Sequence, residues 1–192
     1  MPPEKRCYSV LVISGKKQNT ALLSAMLDSS VYRPVDYALS AVEAKRKLLR
    51  SSFDIIIIDP PLPDESGSEL ALDATESTRA GILMMVRSDL FQITCRKVED
   101  VGVLTLAKPV SKNDFYTALK LITATSARLL NEEKKTRRLQ DKLEETKLVS
   151  RAKIILMEKN KISEPEAHRY IEKEAMDSRR TRKEVAEKII NG

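Results

Sequence analysis

Four cations fall within five residues near the end of the chain: Arg179, Arg180, Arg182 and Lys183 surround Thr181. The run Thr181-Arg182-Lys183-Glu184 has the form of a helix start. Positive side chains gathered at a helix N-terminus oppose the helix dipole, so the arrangement is costly unless an anion neutralises it. A phosphate backbone is such an anion. Arg151 and Lys153, then Lys159 and Lys161, add cations along the preceding stretch. Arginine can fork onto a phosphate or stack on an unpaired base. These eight residues form the candidate nucleic-acid contact set; the alternative is that they only keep a small helical unit soluble.

Other chemistries find too few parts. With one histidine, His168, no Ser-His-Asp set can be built, and five glycines form no phosphate loop. Cys7 and Cys95 are far apart with no CxxC partner, and read as two ordinary thiols. The chain is therefore expected not to be an enzyme and to need no metal or cofactor. No apolar run approaches the roughly 20 residues that cross a bilayer. The start, MPPEKRCYSV, carries no signal-peptide pattern. A cytoplasmic protein without a membrane partner is the expectation.

The elements that must position the cations follow from charge and periodicity. Residues 127–192 hold 18 Lys and Arg against 13 Asp and Glu, a surplus of +5 out of the chain's +6. Upstream, short apolar runs alternate with amphipathic stretches, the pattern of a parallel sheet covered by helices. Strands are placed at 8–13, 34–39, 54–58, 81–86 and 101–106, the third carrying Ile55 to Ile58 as a central strand buried on both faces. Asp59 then stands at its carboxyl end. Two of the intervening helices are marked by apolar stripes, 41–50 with Ala41, Ala44, Leu48 and Leu49, and 67–77 with Leu70, Ala71 and Ala74. This is a doubly wound α/β domain.

From Lys112 to Asn160 there is neither Pro nor Gly, and the stretch reads as one long helix. Phe115, Ile122, Leu129, Thr136, Leu143 and Ser150 recur at sevens, with Ala118 and Leu139 between them. A paired coiled coil, and so a homodimer through Leu129, Leu139 and Leu143, is the preferred reading; a single solvated connector helix is the alternative. Two capping boxes follow, Ser163 with Glu166 and Thr181 with Glu184, and each specifies a helix. The first is expected to turn Ala167, Tyr170, Ile171 and Ala175 inward, the second Val185, Ala186, Ile189 and Ile190, against Ala152, Ile155 and Leu156 of the long helix. Tyr170 is read as a core aromatic in preference to a base-stacking platform.

FDIIIIDPPLPDESGSEL, with Pro63 four residues and Gly67 eight residues after Asp59, together with AKP at 107–109, resembles the receiver domain of bacterial response regulators. The resemblance implies a flavodoxin-like (βα)5 sheet, with Asp59 at the phosphoacceptor position and Lys108 beside it. Departures are as informative. LVISGKK puts Ser14 and Gly15 where a receiver has its metal-holding acidic pair. Val86 replaces the hydroxyl residue that senses the phosphoryl group, and Thr105 replaces the aromatic switch. Magnesium usually needs one or two carboxylates, and phosphoryl transfer loses its main electrostatic stabiliser without the ion. A pseudoreceiver is expected, with Asp59 and Lys108 as a structural ion pair.

The tail SRAKIILMEKNKISEPEAHRYIEKEAMDSRRTRKEVAEKII resembles the ANTAR domain of antitermination regulators. The elements that carry the likeness are Arg151-Ala152-Lys153, Leu156-Met157, Ser163 with Glu166-Ala167, Ala175-Met176-Asp177-Ser178, and Val185-Ala186 ahead of Ile189. The resulting division is a receiver-like domain at 7–122, a helical coiled-coil linker at 123–150 and a three-helix ANTAR-like bundle at 151–192. The resemblance implies an RNA-binding antiterminator whose partners are hairpins in nascent leader RNA, controlled through its receiver-like domain by a partner or by dimerisation. Two other functions remain open: a DNA-binding response regulator, and a signalling adaptor whose pseudoreceiver binds a sensor or ligand-binding protein.

Overall fold

Each of Ile55 to Ile58 is at most 1% exposed, and alternate members of the run enter different cores. Ile56 and Ile58 pack with Leu11, Ile13, Leu70 and Met84; Ile55 and Ile57 pack with Val10, Val12, Leu83 and Phe115. That alternation is what a strand with helices on both faces produces. The computed structural model describes residues 6–192, and its chain divides into two compact units, Met1–Arg128 and Leu129–Gly192.

In the first unit, β1 (Tyr8–Ser14), β2 (Tyr32–Ala38), β3 (Ile55–Asp59), β4 (Gly81–Arg87) and β5 (Leu104–Lys108) form one parallel sheet in the order β2-β1-β3-β4-β5. Its helices are α1 (Lys17–Ala25), α2 (Ala41–Leu48), α3 (Gly67–Ser77), α4 (Phe91–Val98) and the first part of α5 (Lys112–Asn160). This is the expected flavodoxin-like domain. The register sets Ser14 opposite Asp59, and Arg87 opposite Lys108. The strand ends that carry the candidate chemistry thus share one edge of the sheet.

Some boundaries moved. The fifth strand starts at Leu104, because Glu99–Val101 forms a 3-10 turn and Gly102 takes φ 82, a left-handed conformation suited to glycine. The helix expected at 41–50 stops at Leu48, so Leu49 leaves the stripe and is 89% exposed. Helices α1 and α4 fill the other gaps between strands; α1 begins after a two-residue link from β1, with no side-chain cap at Lys16.

The long helix matches its expected limits and has 49 residues. Its heptad positions divide, however. Phe115, Ala118 and Ile122 are buried in the first unit's core and cannot belong to a seam between chains. Leu129, Leu139 and Leu143 are exposed at 61%, 67% and 57%. In the second unit, α6 (Glu164–Ser178) and α7 (Arg182–Asn191) join the end of α5 around Ala152, Leu156, Ala167, Ile171, Ala175, Val185 and Ala186. Small residues at these contacts let the three helices approach closely. Tyr170 is not in that core. It is 47% exposed, since the inward face of α6 is filled by Ala167, Ile171 and Ala175.

Candidate functional site

The end of β3 buries Asp59 to 4% exposure and surrounds its carboxylate with donors. Lys108 Nζ lies 2.5 Å from Oδ1, while Ser14 Oγ and Asn19 Nδ2 each donate to Oδ2 at 2.8 Å. The ammonium of Lys108 donates also to the Pro60 carbonyl at 2.8 Å. Burying a charge is expensive unless it is paired and hydrogen-bonded, and here both conditions are met. Ser14 stands at the place of a metal-holding acid in a receiver, and its hydroxyl is turned into this network. Gly15 cannot be enlarged, because a Cβ there would lie 2.7 Å from the Pro61 carbonyl oxygen.

Asn19 was missed by sequence reasoning. A polar residue in the first turn of α1, five positions after Ser14, is a weak signal until the strand order brings it over Asp59. Val86 is buried, and the Thr105 hydroxyl is buried without a partner among the described residues. Among those residues no group of three or more His, Cys, Asp or Glu side chains could hold a metal ion. Chemically, the arrangement neutralises a carboxylate and occupies both its oxygens.

The second unit places its cations differently. Ser163 and Glu166 cap α6, and Thr181 and Glu184 cap α7, as capping boxes. The Glu166 carboxylate accepts from Ser163 Oγ at 2.7 Å and from its backbone N–H at 2.8 Å; these bonds hold the carboxyl below its ordinary range. Glu184 is lowered likewise, by the Thr181 backbone N–H and then its hydroxyl. Of the eight candidate contacts, three are engaged inside the unit. Lys153 pairs with Glu164 at 2.6 Å, Arg182 with Glu145 at 3.0 Å, and Lys183 with Glu144 at 2.6 Å. The last two clasp the first turn of α7 to α5, and Glu144 raises the pKa of Lys183.

The four cations at 179–183 do not share one helix N-terminus. Arg179 is the C-cap of α6, at the dipole end that favours cations, and the chain's own carboxylates neutralise Arg182 and Lys183. Arg151, Lys159, Lys161, Arg179 and Arg180 have no ion pair among the described residues, and all five are exposed. Lys161 and Arg179 are the two non-glycine residues with positive φ among those described, at 55° and 53°. A side chain in this left-handed region costs about 1–2 kcal/mol.

Comparison with known proteins agrees with both halves. The ANTAR domain family matches residues 137–190. Over 172 residues the chain is 30% identical to the transcriptional regulatory protein PdtaR of Mycobacterium tuberculosis, covering 88% of this chain and 82% of that protein. Among solved structures, a two-component response regulator from Clostridium difficile superposes with a TM-score of 0.55 at 24% identity, covering 61% of this chain and 96% of that one. A CheY-like receiver domain protein from Methanospirillum hungatei gives 0.58 at 19% identity, with 64% and 98% covered. The two structural likenesses establish the receiver fold. No helix among the described residues is long and apolar enough to cross a membrane.

Proposed function

Because the chain belongs to the family of ANTAR-domain transcriptional regulators with a receiver-like domain, we propose that it is an RNA-binding antiterminator. Its second unit binds paired hairpins in a nascent leader transcript, so that the intrinsic terminator hairpin does not form. The observation that carries this reading is the set of exposed, unpaired cations on a three-helix unit matched by the ANTAR family. Exposed Lys and Arg side chains release counterions when they meet phosphates, which drives association.

The receiver-like domain acts in this reading as a pseudoreceiver. Asp59, held by Lys108, Ser14 and Asn19, is a structural anion, and control comes from a partner protein or from dimerisation. Leu129, Leu139 and Leu143 form the seam between two copies. A dimer presents two RNA-binding units to two hairpins, so effective concentration adds to single-unit affinity.

A terminator-readthrough reporter in cells tests the whole. Deleting 151–192 abolishes readthrough, and crosslinked transcripts map to leaders with tandem hairpins. Readthrough that persists in the deletion favours the adaptor, and preference for duplex DNA over hairpin RNA in gel-shift competition favours a DNA-binding regulator. Incubation with acetyl phosphate and Mg2+ leaves Asp59 unmodified; a stable adduct that promotes dimers defeats the pseudoreceiver. Leu139→Glu with Leu143→Glu yields monomers in sedimentation, and an unchanged mass removes these leucines from the seam.

A further inference from the structure

The outward face of α6 carries cations that take no part in the hydrogen bonds of the capping boxes or in the clasp to α5. Since Ala167, Ile171 and Ala175 turn to the core, a 3.6-residue period puts Arg169, Lys173 and Met176 on the opposite side, at i, i+4 and i+7. All three are exposed, Met176 by 80%. Lys173 has no ion pair among the described residues. Arg169 donates Nε–H to the Pro165 carbonyl at 3.3 Å and leaves its other guanidinium donors available. Arg180 follows Met176 by four positions, just past the helix end. The one carboxylate of the capping box nearby, Glu166, is occupied by Ser163.

The residues that follow α5 and α6 add a second observation. Lys161, directly after α5, and Arg179, directly after α6, hold left-handed backbone conformations at positions where helices most often place glycine. In the first unit the chain does place glycine there, at Gly102 with φ 82. Side chains kept in a strained conformation point to a use for the side chain itself. Attraction of a cation to the C-terminal end of a helix dipole is the competing explanation.

We propose that α6 is the RNA-reading helix of this protein, with Arg169, Lys173, Arg179 and Arg180, and Lys161 in the turn that leads into it, following the phosphate backbone and Met176 offering apolar surface between them. The helix has 15 residues, about 22 Å at 1.5 Å per residue, long enough to run beside several nucleotides. Arg182 and Lys183 lie outside this track, because Glu145 and Glu144 hold them to α5. The assignment rests on the RNA reading above and narrows it to one helix.

The full-length chain is titrated against a fluorescein-labelled tandem-hairpin RNA recovered by crosslinking to the wild-type protein, over a range of salt. Arg169→Gln with Lys173→Gln weakens binding and lowers the slope of log K against log salt by about 0.7–0.9 per lost phosphate contact. Lys161→Gly and Arg179→Gly each weaken binding about five- to tenfold while Tm holds or rises, because the backbone strain is relieved. Arg182→Gln with Lys183→Gln lowers Tm and leaves the affinity of the folded protein unchanged. Undiminished affinity and slope in Arg169→Gln with Lys173→Gln overturn the assignment while RNA binding stands. Glycine variants that lose Tm but keep affinity overturn it too, since the cations then serve only the helix ends. A wild-type chain that binds none of the crosslinked RNA overturns the RNA reading itself.

Discussion

Asp59 and Arg179 are both charged groups at the end of a regular element, yet their surroundings are opposite. Asp59 is 4% exposed and has three side chains turned to its two oxygens. Arg179 is exposed, unpaired, and held in a left-handed backbone conformation. A buried charge must be satisfied within the fold, and once satisfied it has little left to offer a ligand. An exposed cation keeps its hydration and counterions until a polyanion displaces them. Asp59 is thus satisfied within the fold, whereas Arg179 leaves its charge open to solvent.

Each region stands on its own core. Ile171→Ala empties a fully buried position among small residues and costs the second unit about 3–4 kcal/mol. Denaturant unfolding should then resolve an early transition of α6 and α7 with the sheet intact; a single unshifted transition contradicts the division into two units. Lys108→Met removes the cation from Asp59 and costs the first unit about 3 kcal/mol. If Tm of the sheet does not move, the pair is not structural.

Smaller effects sharpen the contrast. Ser14→Asp replaces a donor to Asp59 by a second carboxylate, which lowers stability by about 1–3 kcal/mol in chelator. Millimolar Mg2+ restores part of the loss by bridging the acids, and equal Tm with and without the ion argues against the pocket's likeness to a metal-holding receiver. Thr181→Ala removes the cap of α7 and costs about 1 kcal/mol, read as Tm of the second unit.

The smallest change is with pH. Glu166 and Glu184 have folded-state pKa values below the ordinary 4.5. Their contribution is present above that value and is lost as pH falls through the lower folded one. Helix signal from the second unit therefore fades as pH drops below about 4.5, and Glu166→Gln with Glu184→Gln flattens that dependence. An unchanged acid profile in the double variant shows that other groups govern it.

Much of this protein was legible from local pattern. Five strands, the limits of α5 and both capping boxes follow from interactions within a few residues: alternation along a strand, an interval free of Pro and Gly, a hydroxyl and a glutamate three apart. The loss of the acidic pair at Ser14 and Gly15 was also visible, because it depends on residue type at a known place in a resemblance. Boundaries set by a single turn were less legible, as at Gly102 and Leu49.

Which charges are paired and which are left open depends on packing between distant segments. Asn19 reaches Asp59 across 40 residues, and Glu144 and Glu145 reach Lys183 and Arg182 across 39 and 37. Nothing local links these partners; parallel strand order makes the first contact and helix packing the others. Likewise, the heptad that carries Phe115 and Ile122 is the same pattern that carries Leu129 and Leu143, and only the sheet's presence consumes the first pair. Periodicity tells which residues share a face. What that face meets depends on elements far away in sequence, and that is fixed by packing.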